Sequence, residues 1–171
     1  MSQPRRYLLT GASSGIGEAL AHQLASRGYD LVLASRRVDN LKALAAELSS
    51  KHGRTVVALP LDVTDYAAAQ AIVGQAAEAL GGLDGVIANS GIAMSSKVGK
   101  GHFDDDKRII ETNLTGAIAT LDAATALFRQ QGHGHLVALA SVAGKVGLPA
   151  NAGYSASKFG LIGYVRTLQA E

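Results

Sequence analysis

Tyr154 and Lys158 stand four residues apart in the stretch "YSASKFG", which places them on one face of any helix that carries them. A phenol titrates near ~10 and is a poor base at neutral pH. A neighbouring ammonium favours the phenolate and lowers that value, so the tyrosine could take a proton from an alcohol or give one to a carbonyl oxygen. A half-buried ring beside a solvated amine has the same spacing, so the pair needs company to mean anything. Ser141, at the end of the apolar run "LVALAS", offers a hydroxyl that could bond a substrate oxygen and stabilise charge developing there. Asn113, in "IIETNLTGA", sits inside a helical pattern where asparagine is mildly unfavourable. It either bends the helix by bonding backbone groups or holds a water that passes protons to Lys158.

A second constellation lies at the other end of the chain. "LLTGASSGIGEAL" sets Gly11, Gly15 and Gly17, with Ser13, Ser14 and Ile16 between them, where an apolar run gives way to a helical pattern. A strand, a tight turn and a helix N-terminus make a site for a pyrophosphate, because free N–H groups point outward and glycine lets phosphates approach the backbone. The next apolar run ends in "LASRRVDN", with Ser35, Arg36 and Arg37 where a ribose-binding carboxylate would exclude a 2′-phosphate. Guanidinium groups suit a phosphate dianion, which favours NADP and leaves NAD possible. In "LDVTD", Asp62 could bond an adenine amino group or simply close a turn, Val63 could pack on the adenine ring, and Asp65 reads as a helix N-cap. "IANSG" brings Asn89, Ser90 and Gly91 to the end of a further apolar run.

These residues need a scaffold, and the pattern supplies one. Strand-like runs at 5–10, 30–35, 55–60, 83–88 and 135–140 alternate with helical segments at 15–28, 38–52, 65–80, 104–131 and 152–170. That alternation predicts a doubly wound parallel sheet with helices on both faces. The nearly unbroken apolar character of the runs fits strands buried on both sides. Asn89, Ser90, Gly91 and Ser141 then fall with the glycine turn at the carboxyl edge of the sheet, where dinucleotides lie in such folds. Residues 91–103 read as a polar loop near that edge, and Asp104, Asp105 and Asp106 open a helix whose dipole suits acidic groups.

Composition narrows the remaining choices. The 171 residues, 47% of them hydrophobic, suit one domain with a substantial core. With no cysteine, disulfides, thiolate metal sites and cysteine nucleophiles are excluded. The histidines at 22, 52, 102, 133 and 135 have no paired-ligand spacing, so no metal site is expected. Sixteen basic and 14 acidic side chains are scattered without a basic tract, which argues against nucleic-acid binding. The apolar runs are too short to span a bilayer and the start is unlike a secretory signal, so the expectation is a cytoplasmic protein that engages no membrane.

Taken together, the ordered motifs resemble those of the short-chain dehydrogenase/reductase family. The family's TGxxxGxG is "TGASSGIG" at 10–17, its aspartate after strand three is Asp62, and its NAG-type motif is "NSG" at 89–91, with Ser90 where alanine is common. Its catalytic asparagine and serine fall on Asn113 and Ser141, and its YxxxK pair on Tyr154 and Lys158. The resemblance implies a Rossmann-type three-layer αβα fold with strand order 3-2-1-4-5. It implies hydride transfer between NADP(H) and a small carbonyl or secondary alcohol substrate. Tyr154 would be the acid/base, and Lys158 would bind the nicotinamide ribose and lower the tyrosine's pKa. Ser141 would position the substrate oxygen, and Asn113 would support the proton relay. It also implies a homodimer or homotetramer built on the helices flanking strand five. Strands six and seven and the substrate lid of the family have no counterpart in the sequence. The expectation is therefore a single dinucleotide-binding domain over 1–171, incomplete at its C-terminus. The alternative is a non-catalytic dinucleotide-binding or oligomerisation module.

Overall fold

The computed structural model describes residues 5–171; residues 1–4, which the sequence assigns to the same domain, lie outside the described residues. Strands β1 (Arg6–Thr10), β2 (Asp30–Ser35), β3 (Val56–Pro60), β4 (Gly85–Ala88) and β5 (His135–Ala138) form one sheet. They are all parallel, in the order β3-β2-β1-β4-β5. The helices are α1 (Gly15–Ser26), α2 (Val38–His52), α3 (Tyr66–Leu80), α4 (Phe103–Ile110), α5 (Gly116–Gln131) and α6 (Ala152–Ala170). This is the three-layer, doubly wound arrangement expected from the alternating pattern.

Alternation along the central strands divides the core in two. Leu8, Val32 and Val86 point to one face and pack with Ala69, Ile72 and Val73 of α3 and Ala119, Ala124 and Phe128 of α5. Tyr7, Leu9, Leu31, Leu33 and Ile87 point to the other, against Ala21 and Ala25 of α1 and Leu41, Leu44 and Leu48 of α2. Each fully buried leucine contributes about 1.5–3 kcal/mol. The small alanines on α1 and α3 let those helices sit close to the strands. A third cluster, Ala88, Ala117, Leu121 and Leu161, fastens α6 beside α5.

Three local features differ from the sequence expectation. The helix expected over 104–131 is α4 and α5 joined by a π-helical segment at Glu111–Thr115, with Asn113 at its centre. The last strand stops at Ala138 rather than residue 140, because Leu139 makes its final backbone bond to Ala88 and the chain then turns into a short 3₁₀ segment at Val142–Gly144. Residues 91–101 are irregular as expected, but Ser96 forms a single parallel bridge with Asn151, its N–H 2.8 Å from the Ala150 carbonyl. Asp65 caps α3 as expected, its carboxylate accepting from Ala68 N–H at 3.0 Å.

Candidate active site

At the carboxyl edge of the sheet lies a cleft of about 520 Å³, floored by the turn after β1 and walled by the ends of β2, β3 and β4. Among the residues singled out in the sequence, Gly11, Ser13, Ser14, Ile16, Gly17, Ser35, Arg36, Arg37, Asp62, Val63, Asn89, Ser90 and Gly91 line it. Gly15, at φ 58°, opens α1 beside it, and Tyr154 and Lys158 stand outside that lining.

The floor is set by close backbone packing. Gly11 adopts φ 67°, and a Cβ on it would stand 2.8 Å from the Ser90 Cα. A Cβ on Gly17 would run into the Gly11 carbonyl oxygen and stand 2.6 Å from Asn89 Nδ2. Asn89 stitches this turn to β4: its Nδ2 donates to the carbonyls of Thr10 (3.0 Å) and Gly11 (3.1 Å). The Thr10 hydroxyl accepts in return from the N–H groups of Asn89 (3.1 Å) and Ser90 (3.2 Å). Ser14, the N-cap of α1, makes no side-chain cap, which leaves the helix N-terminus as an anion-binding end.

The far wall is cationic. Arg37 donates from Nε to Ser13 Oγ at 3.2 Å and from Nη2 to Ser14 Oγ, and its own N–H donates to Ser35 Oγ at 3.2 Å. Arg36 is exposed, with Nη1 3.9 Å from Asp62 Oδ2. Hydrogen bonds from the Thr64 N–H (3.0 Å) and hydroxyl (2.8 Å), with Arg36 nearby, hold the Asp62 carboxyl below its ordinary range. Asp62 is thus both a turn residue and an anion at the cleft edge.

Beyond the cleft, α6 carries the tyrosine and lysine. Tyr154 is half-buried in its first turn, and among the described residues nothing hydrogen-bonds its hydroxyl. Lys158 is buried, 5% exposed, with Nζ 5.7 Å from the centre of the Tyr154 ring and donating to the Leu139 carbonyl at 2.6 Å. Burial pushes its pKa down because a dry site disfavours the charged form. Ser141 begins the 3₁₀ segment and its Oγ accepts from Ala143 N–H at 3.2 Å, so its own hydrogen remains available to an oxygen outside the chain.

Asn113 joins the two parts. Completely buried, it accepts from Ile92 N–H and donates to the Ile92 carbonyl, both at 2.8 Å. Nδ2 also donates to Ser157 Oγ at 3.3 Å, and Ser157 donates on to the Tyr154 carbonyl at 2.7 Å. Its side chain thus bonds backbone groups, one of the two roles open in the sequence, and braces the cleft wall against α6.

Several residues of this region escaped the sequence reading. Thr10 was visible in the "TG" before the turn, and Ser157 lies inside "YSASK", but neither type announces a hydrogen-bonding partner. Leu61, Ile92 and Thr112 also line the cleft; their only signal is position beside a motif. Asp106, expected only to favour the α4 dipole, accepts from the Gly153 N–H of α6 at 2.9 Å.

Comparison with known proteins agrees with this geometry. The sequence model of the short chain dehydrogenase family matches residues 5–171. An oxidoreductase of Mycobacterium tuberculosis is 40% identical over 169 residues, covering 98% of this chain and 67% of its own length. The trans-4-hydroxycyclohexanecarboxylate dehydrogenase of Sinomonas cyclohexanicum is 37% identical, with 94% of this chain and 63% of its own covered. Among solved structures, an alcohol dehydrogenase from the archaeon Thermococcus sibiricus, complexed with 5-hydroxy-NADP, superposes with a TM-score of 0.93 at 32% identity, over 98% of this chain and 71% of that one. The chain thus spans about two thirds of the length of the relatives it matches. By its sequence, its strand order and its structural neighbours, it belongs to the short-chain dehydrogenase family of oxidoreductases.

Proposed function

We propose that residues 1–171 form the single dinucleotide-binding domain of an oxidoreductase that transfers hydride between NADP(H) and a small carbonyl or secondary alcohol. The observation that carries this reading is the Asn113 brace, which fixes the cleft wall at Ile92 to the helix bearing Tyr154 and Lys158. The residues suit the dinucleotide. An uncapped helix N-terminus and a turn with no room for a Cβ at Gly11 or Gly17 fit a pyrophosphate. Arg37 with Ser13 and Ser14, and Arg36 beside them, fit a 2′-phosphate better than a bare ribose, since the β2 end carries no carboxylate. The NADP analogue bound by the Thermococcus neighbour is consistent with that preference, and NAD remains the competing cofactor.

When bound, the nicotinamide supplies a hydride to a carbonyl carbon or takes one from an alcohol carbon. Tyr154 gives a proton to the oxygen of the same bond, or removes one in the reverse direction. Ser141 donates its free hydrogen to that oxygen and stabilises its developing charge. Lys158 spends one of its three donors on Leu139 and keeps two, enough to hold ribose hydroxyls while its charge faces the tyrosine ring. Asn113 keeps these elements in register and supports the proton relay to Lys158.

Phe103 on α4 and Phe159 on α6 are exposed, which supports assembly into a homodimer or homotetramer through these helices. Among the described residues no helix is long and apolar enough to cross a membrane, in keeping with a cytoplasmic enzyme.

The test is fluorescence titration with NADPH and NADH, followed by a panel of carbonyls and alcohols. Tighter binding of NADPH and turnover that depends on Tyr154 are expected. Binding without turnover on any substrate supports the non-catalytic module instead, and absence of binding removes both readings.

A further inference from the structure

The start of α6 is held in an unusual way. Its N-cap, Asn151, makes no cap to the helix; the Asn151 side chain donates back to the Pro149 carbonyl at 2.9 Å. The preceding residue, Ala150, has φ 57°, a left-handed conformation that a non-glycine residue adopts only when its surroundings impose it. A helix entered this way needs an acceptor for its first-turn N–H groups from elsewhere, and α4 provides it. Asp106 Oδ1 accepts from the Gly153 N–H at 2.9 Å, two turns before Asn113 on the same helical run. A carboxylate at this position also faces the positive end of the α6 dipole.

The contact depends on Gly153 having no side chain. A Cβ there would stand 2.7 Å from the Asp106 Cα, so α4 and α6 touch backbone to backbone at this point. Two rungs therefore join the α4 run to α6. Asp106 holds Gly153 and Asn113 holds Ser157, and each of these α6 residues immediately precedes one of the pair Tyr154 and Lys158.

We propose that Asp106 is a positioning residue for Tyr154: an N-terminal cap supplied to α6 by another helix, fixing where the tyrosine stands relative to Lys158 and Ser141. The reading rests on the proposed acid/base role of Tyr154, but its structural content is measurable without turnover.

The experiment compares Asp106→Ala with Asp106→Asn in the full chain. Both remove the charge, and only asparagine keeps an oxygen able to accept from Gly153. Should the alanine variant not fold, Asp106→Ser, whose side chain is too short for the bond, takes its place. With 13C-labelled tyrosine, the Tyr154 ring signal is identified by its loss in Tyr154→Phe. It is expected to shift or broaden in Asp106→Ala and to keep its wild-type position in Asp106→Asn, with the Tyr29 and Tyr66 signals unmoved in both. On any substrate the wild type turns over, kcat is expected to fall about tenfold in Asp106→Ala with KM within about twofold, and to recover to within about threefold in Asp106→Asn. A Tyr154 signal unchanged in Asp106→Ala, or an unchanged kcat, overturns the proposal whatever happens to Tm. Should no substrate be turned over, the acid/base reading fails by itself and the ring signal still decides whether Asp106 positions the tyrosine.

Discussion

The two ends of the sheet differ in how fully their polar side chains are committed to one another. At the amino end they are paired with one another. Arg6 donates from N and Nε to Asp84 Oδ2 (2.8 and 3.1 Å) and from Nη2 to Oδ1 (3.0 Å). Arg54 and the Thr55 N–H share Asp30 Oδ1 (3.0 and 2.8 Å), and the Tyr7 hydroxyl shares a hydrogen bond with His135 Nδ1 at 2.8 Å. At the carboxyl end the Ser141 hydrogen and two donors of Lys158 stay uncommitted, and Arg36 is only 3.9 Å from a carboxylate. Pairing inside the chain contributes to stability. Groups left open at the edge can bind something else, at the cost of the stability that pairing would have added. The same five strands carry both designs, so substitutions at the two ends should separate activity from stability.

The sharpest break is expected at Tyr154. Tyr154→Phe removes one hydroxyl that nothing else in the described chain uses, so Tm should stay within about 1 °C and NADPH binding within about twofold. Turnover should fall by about 10²–10⁴, the usual contribution of a general acid or base. Full turnover in this variant, measured in a preparation whose wild type is active, would remove the tyrosine from the mechanism.

Gly17→Ala comes next, and it tests whether the floor of the cleft is as unyielding as its backbone contacts imply. The new methyl meets the Gly11 carbonyl and the Ala12 Cα, backbone atoms that cannot swing aside. Overpacking of this kind costs about 1–3 kcal/mol, with NADPH affinity expected to fall at least about tenfold in a fluorescence titration. A variant with wild-type affinity would show that the turn relaxes freely.

Asp84→Asn probes the opposite end. It weakens the paired Arg6 contact and should lower Tm by about 4 °C at pH 7, a loss of roughly 1–2 kcal/mol for a chain of this size, with kinetics unchanged. Hydrogen bonding from Arg6 holds the Asp84 carboxyl below its ordinary range. The stability it contributes is therefore present above the unfolded carboxylate value near ~3.9 and is lost as pH falls through the lower folded value. Thermal melts of wild type and variant should converge in that acid window, and a constant gap down to low pH would mean that charge is not what the pair contributes.

The two ends also differ in how far the sequence exposes them. The turn at 10–17 and the pair at 154 and 158 are local patterns, whose spacing follows from a tight turn and from one helical turn, and they were legible. Arg6 and Asp84 are 78 positions apart and Tyr7 and His135 are 128 apart; no period links them, so only the register of β1 beside β4, and of β4 beside β5, brings them together. Asn113 stood out as an ill-suited helix residue, but its partners Ile92 and Ser157 lie 21 and 44 positions away. The extra residue of the π segment left no mark on the helical pattern. Asp106 was hidden by its neighbours, because three consecutive aspartates at a helix start already have a sufficient explanation in the dipole.

The smallest shift in stability, and the one that distinguishes the two ends most directly, is expected for Lys158→Met, whose turnover should be lost with the lysine's proposed role. The ammonium is buried with one carbonyl partner and an aromatic ring for company. The ring is worth about 0.5–1 kcal/mol, which offsets only part of the cost of taking a charge out of water. Burial lowers the lysine's pKa in the folded chain, so between that lowered value and the ordinary one near ~10.4 the unfolded chain binds more protons. In that window the stability of the wild type rises with pH, and below it the full cost of the buried charge is present. Methionine removes that cost, leaving the half-buried Leu139 carbonyl to water. Tm should therefore rise by about 2 °C at pH 7, and the gain should shrink in melts taken toward pH 10. A lower Tm at pH 7 would mean that Lys158 is held for stability, as Arg6 is, and that the carboxyl end does not give up stability to keep its donors open.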